Sequence, residues 1–215
     1  MKMKNNDYSN KLTKIIIFCS IIIAGLSLFI LLNNDLVDKP LAGQGGDVSD
    51  GARIGGSFTL TDQMGNKFTD KDLLGKVTLI YFGFTFCPDI CPTSLQKISE
   101  VINTLEKYGM DVLPIFVTVD PKRDTQNLMK EYLEHFNGKI IGLTGSQDQV
   151  RNVTNLYKVY YAVAENHDKN DDKYMLDHSS FIYLMGRDGK YIKHFYMSNT
   201  AKEIIEYIRV NYKTL

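Results

Sequence analysis

The chain has 215 residues, 44% of them hydrophobic and 11% aromatic, which suits one domain of ordinary core size plus an appendage and argues against disorder. Its 25 basic and 25 acidic residues cancel, so there is no global basic field of the kind that gathers nucleic acid. Only three cysteines occur, Cys19, Cys87 and Cys91, too few for a disulfide-stapled scaffold.

Residues 15–32 form an apolar stretch in which Cys19, Ser20 and Ser27 are the only polar members. A helix of that length rises roughly 27 Å, close to the ~30 Å hydrocarbon core of a bilayer. Its last residues, Leu28 to Leu32, are bulky throughout, which favours an uncleaved anchor over a signal peptide ending in a small-x-small site. Lys2, Lys4, Lys11 and Lys14 precede the stretch, whereas Asn33, Asn34, Asp35 and Asp38 follow it. The positive-inside rule then places residues 1–14 in the cytoplasm and the rest of the chain outside. The expected localisation is therefore an inner membrane crossed once, with the carboxyl-terminal domain in the periplasm. Residues 33–56, with six glycines among Asp, Ser and Gln and no apolar periodicity, read as a flexible tether.

Strand and helix patterns alternate from Ser57 to the end of the chain. Ser57–Thr61 and Lys67–Thr69 flank the turn DQMGN as a hairpin. Val77–Phe84 (VTLIYFGF) and Val112–Val119 (VLPIFVTV) are continuous apolar runs, as expected of strands buried on both faces. Between them Leu95, Ile98, Val101, Ile102 and Leu105 repeat at helical spacing. A helix near Thr125–Phe136, the short strand IIGLT and a helix over Asp148–Tyr157 follow. Strands Phe181–Met185 and Tyr191–Tyr196 about the turn RDG, then a helix over Thr200–Asn211, complete the series. The order predicts an α/β fold whose sheet has a largely parallel centre and helices on its flanks.

The chemistry gathers at CPDICP, Cys87 to Pro92, between a buried strand and a helix. Pro92 suits the first helical position, where its missing N–H costs nothing, which makes Cys91 the expected N-cap. There the positive end of the helix dipole would favour the Cys91 thiolate. Cys87 falls at the carboxyl end of the strand, where open α/β sheets collect their ligands. Three uses of the pair stand open. A structural disulfide closing so small a ring would stabilise by only roughly 2 kcal/mol. Thiol–disulfide exchange normally has two residues between its cysteines, and here there are three. Metal binding needs further ligands.

Four histidines are available. His135, in EYLEHFNG, suits the end of a helix and its dipole. His167 lies in the polar segment ENHDKNDDK, and His194 alternates on the last hairpin. His178 sits in LDHSS immediately before a strand, a junction that the inferred fold places beside the cysteine turn. Two thiolates and an imidazole make a soft set suited to Cu(I) and extendable for Cu(II), whereas zinc generally takes a fourth ligand.

The segment GFTFCPDICP resembles the signature of the Sco/SenC family, copper-handling proteins needed for cytochrome c oxidase assembly. TVDPKRDT and DHSSFIYLMGRDG resemble two further blocks of that family, and the similarity runs from about Gly55 to Tyr212. The resemblance implies a thioredoxin-like fold over 57–215, with copper held by Cys87, Cys91 and His178. It places Asp120 near the site, where a strand-end turn role ahead of Pro121 is the other reading; Asp177 reads either as orienting the imidazole from behind or as capping the loop. Phe86 stands where some relatives carry histidine. Thioredoxin relatives usually place a cis-proline opposite their redox cysteines, but no proline follows Pro121 here and His178 occupies the corresponding stretch. The implied role is a metallochaperone, not an enzyme, that delivers copper to the dinuclear site of cytochrome c oxidase subunit II. An upstream copper donor or thiol reductant is implied as a second partner. A thiol–disulfide reductase serving the cysteines of that subunit is the competing class, and a copper or redox sensor is a third.

Overall fold

The computed structural model describes Ile17, Ser20, and residues 54–165 and 173–215. The expected anchor, apart from Ile17 and Ser20, nearly all of the expected tether, and His167 lie outside the described residues. Among the described residues no helix is long and apolar enough to cross a membrane.

From Ile54 onward the chain forms a seven-stranded mixed sheet with helices packed on it. The strands are β1 (Thr59–Asp62), β2 (Lys67–Thr69), β3 (Val77–Gly83), β4 (Val112–Thr118), β5 (Ile141–Thr144), β8 (Ile182–Met185) and β9 (Tyr191–Phe195), in the order β2-β1-β5-β4-β3-β8-β9. The centre β5-β4-β3 is parallel, and β1, β8 and β9 add antiparallel flanks. β3 is buried at every residue, which explains its unbroken apolar run. Pro114 stands in central strand β4, but β5 pairs with β4 only from Ile115 onward, so the proline falls beyond that ladder.

Helix α1 (Ile90–Lys107) connects β3 to β4, and α2 (Gln126–Leu133) connects β4 to β5. Helix α3 (Gln147–Leu156) follows β5, and α4 (Ala201–Asn211) closes the chain. The stripe Leu95, Ile98, Ile102 and Leu105 buries the inner face of α1. Side chains start three of the helices: Thr125 accepts from the Leu128 N–H, and Ser146–Gln149 and Thr200–Glu203 form reciprocal capping boxes.

Two elements depart from the sequence reading. A second hairpin, β6 (Tyr161–Val163) with β7 (Leu176–His178), forms a two-stranded sheet of its own where only loop was expected. Helix α1 begins at Ile90 after Asp89, so Cys91 lies inside its first turn and is not the N-cap. Pro92 takes the third helical position, where an N–H would still have no partner within the helix.

Candidate metal centre

The centre is built at the carboxyl end of β3. Beyond Gly83 the chain turns through Thr85 and Phe86, presents Cys87, and enters α1 so that Cys91 returns over the strand it has just left. Gly83 permits that return: a Cβ at this position would lie 2.6 Å from Cys91 Sγ and 3.0 Å from the Phe116 ring. The loop backbone is fixed by Asp124, a fully buried carboxylate. It accepts from the Thr85 N–H at 3.1 Å, the Thr85 hydroxyl at 2.5 Å and the Thr118 hydroxyl at 2.6 Å. Burial pushes the Asp124 carboxyl above its ordinary value, and these hydrogen bonds act in the opposite sense.

Cys87, Cys91 and His178 converge here, with the two sulfurs and one imidazole nitrogen all within 4.8 Å of one another. His178 Nε2 is 3.5 Å from Cys91 Sγ. Its Nδ1 lies 3.0 Å from the Ser179 carbonyl oxygen, which can only accept. The Nδ1 proton therefore points to that carbonyl, and in the neutral ring Nε2 keeps a free lone pair toward the sulfurs. Tyr81 and Phe84 set the ring edgewise, with centroids 6.3 and 5.7 Å away. Cys91 is fully buried and receives a hydrogen bond from the Tyr81 hydroxyl at 3.7 Å.

The sulfur at the start of α1 is that of Cys87, which accepts the Cys91 backbone N–H at 3.4 Å. A hydrogen bond from the Cys91 thiol, aided by the His178 imidazole and then by the Cys91 and Asp89 backbone N–H groups, brings the Cys87 thiol down to about 4 against the opposing effect of burial. Giving that bond, burial and the Cys87 charge together push the Cys91 thiol far above the ordinary range. The expectation of a Cys91 thiolate is thus reversed, with the dipole and the N–H groups serving its neighbour.

The supporting residues also sit differently from expectation. Asp177 is exposed, and strand alternation turns it away from the face that carries Leu176 and His178. Of the two readings of Asp177, the orienting one is not met: that contact is made by the Ser179 carbonyl. Asp120 is buried, but its carboxylate is engaged by Arg123 Nε at 2.5 Å and by the Tyr174 hydroxyl at 2.5 Å. Burial and the bond to Asp120 push the Tyr174 phenol up to about 12, so it is a proton donor at neutral pH. His135 is exposed in the turn that follows α2, and His194 packs among Phe181, Tyr191 and Tyr196 on the last hairpin. Among the described residues, Cys87, Cys91 and His178 form the one group of three or more metal-ligating side chains close enough to share an ion.

A thioredoxin-like α/β domain carrying a soft Cys2His centre at the end of its central strand is the class that fold and geometry define. The chain belongs to the SCO1/SenC family, whose model matches residues 46–212. It is 50% identical over 211 residues to a SCO2-like protein of Rickettsia felis, covering 98% of this chain and 100% of the relative. The structure of yeast Sco1 with copper bound matches with a TM-score of 0.70 at 43% identity, over 76% of this chain and 90% of that one. Copper-bound ScoI of Bradyrhizobium japonicum matches with a TM-score of 0.67 at 44% identity, over 73% of this chain and 98% of the other.

Proposed function

We propose that this protein is a copper metallochaperone that binds one copper ion through Cys87, Cys91 and His178 and passes it to cytochrome c oxidase subunit II during assembly. The observation that carries the reading is the convergence of two sulfurs and a pre-oriented imidazole within 4.8 Å, in a family whose relatives include proteins solved with copper bound. Two thiolates suffice for linear Cu(I), and the imidazole adds the borderline donor that Cu(II) prefers. The partly exposed Cys87 and His178 leave one side of the centre open, as transfer by ligand exchange to an acceptor thiol requires. The lysine asymmetry about residues 15–32 supports an inner-membrane anchor with this domain in the periplasm. An upstream copper donor or thiol reductant would supply the centre, because a Cys87–Cys91 disulfide excludes the metal.

The second reading is a thiol–disulfide reductase acting on the cysteines of the same subunit. It is favoured by the pairing of an acidic, half-exposed Cys87 thiol with a buried Cys91 partner. The substitution His178→Ala separates the two, since the imidazole is not needed to exchange thiols. In a strain carrying it, oxidase assembly under limiting copper should be lost while the Cys87–Cys91 pair still forms and breaks its disulfide. A His178→Ala strain that assembles active oxidase at limiting copper would replace the chaperone with the reductase.

A further inference from the structure

The donors of the centre come from elements that share no strand pairing. Cys87 lies in the turn between β3 and α1 and Cys91 in the first turn of α1, whereas His178 ends β7, which pairs with β6 in a separate sheet. Pairing in the main sheet reaches the histidine segment only from its far side, through β8, which starts four residues after His178 and pairs with β3. Side chains complete the fit: Tyr81 and Phe84 meet the imidazole from the cysteine side, and Arg123 touches the segments that lead to both halves.

We infer that Arg123 is the positioning residue that joins the His178 strand to the cysteine turn. Its side chain is only 9% exposed. On the histidine side, Nη1 donates to the Tyr174 carbonyl at 2.8 Å, and the guanidinium lies 3.7 Å from the centre of the Tyr174 ring. Tyr174 stands two residues before the start of β7. On the cysteine side the same guanidinium stacks on Phe86, the neighbour of Cys87, at 4.6 Å. It also lies 5.7 Å from the ring centre of Phe84, whose ring in turn meets the His178 imidazole edgewise. Asp120 holds the guanidinium in place through Nε and ties in Tyr174 through its hydroxyl. The acidic residue of this block thus acts on the centre through Arg123. A planar fork that donates in its own plane and stacks on its faces can do this, and a lysine ammonium cannot. The alternative is a buried ion pair that steadies the whole domain without preference for the centre.

The functional consequence rests on the copper reading above, but the positional claim does not, so the test reads both. The full chain, purified in detergent, is compared with Arg123→Lys by hydrogen exchange in the metal-free state and by separate titrations with Cu(II) and Cu(I). Exchange should quicken selectively in residues 174–179 and 84–87, with the central β3-β4 ladder and α4 keeping their protection. Affinity for Cu(II) should fall by about 10–100-fold, the range typical when a group behind a metal-binding histidine is removed. Affinity for Cu(I), held by the two sulfurs, should change by less than about threefold. Selective loosening in a protein that takes up no copper in either oxidation state would support the clamp and remove the copper reading. Unchanged exchange in residues 174–179, uniform loosening of the sheet, or equal loss of Cu(I) and Cu(II) would overturn the clamp. If Arg123→Lys does not fold, Phe86→Ala, which removes an exposed stacking partner, decides between the same outcomes.

Discussion

Cys87 and Cys91 are the same side chain in two environments, and their difference follows from which one gives the shared hydrogen bond and which one receives it. Cys87 receives it, together with backbone N–H groups at the start of α1, and ionises at about 4; Cys91 gives it from a fully buried position. At about pH 6 iodoacetamide should therefore modify Cys87 in the folded metal-free protein and spare Cys91, since the thiolate is the nucleophile. The Cys87 rate should stay level from neutral pH down to about 5 and fall only as the pH approaches about 4. Peptide mapping of the product checks it; labelling that begins only in the alkaline range, or starts at Cys91, would show that the charge is placed otherwise. The three converging donors were legible in the sequence because residue type and spacing carry the chemistry. The directions of the side chains were not. One reading of Asp177 sets it behind the imidazole, but it is next to His178 on a strand, and neighbours on a strand face opposite ways. The part played by Arg123 lay in plain view within TVDPKRDT, yet its contacts with Tyr174 and Phe86 join segments far apart in the chain, which spacing cannot reveal.

Among the elements, legibility tracks burial and capping. β3 and β4 were readable because strands buried on both faces leave an unbroken apolar run. The sequence places the starts of α2 and α4 at Thr125 and Thr200, the residues that cap them. It places that of α3 at Asp148, whereas the helix starts one residue earlier behind its cap Ser146. The β6–β7 hairpin was hidden because its strands are three residues long and only partly buried, too short to show a period. The start of α1 was misplaced because proline is tolerated throughout the first turn and Cys87 supplies a sulfur where a hydroxyl or carboxylate cap is usual. The amino-terminal apolar element is tested by its topology. Alkaline phosphatase fused after residue 45 should be active, and a reporter that works only in the cytoplasm should be silent at the same position. The opposite pattern would reverse the orientation and remove the oxidising compartment from the account.

For the molecule as a whole, the sheet supplies a rigid edge, the cysteine turn supplies sulfur, and the separate hairpin supplies the imidazole. Copper binding follows from that division: the sulfurs suit copper in its soft state, and the imidazole extends the set when the ion demands more. Every further statement about delivery depends on copper lying among these three side chains. X-ray absorption on the full chain, loaded anaerobically with one equivalent of copper, tests this most directly. The account predicts two sulfur neighbours and one imidazole nitrogen, with the sulfur signal reduced by Cys87→Ser and the nitrogen signal lost in His178→Ala. A first shell of oxygen and nitrogen alone, unchanged by either substitution, would contradict it.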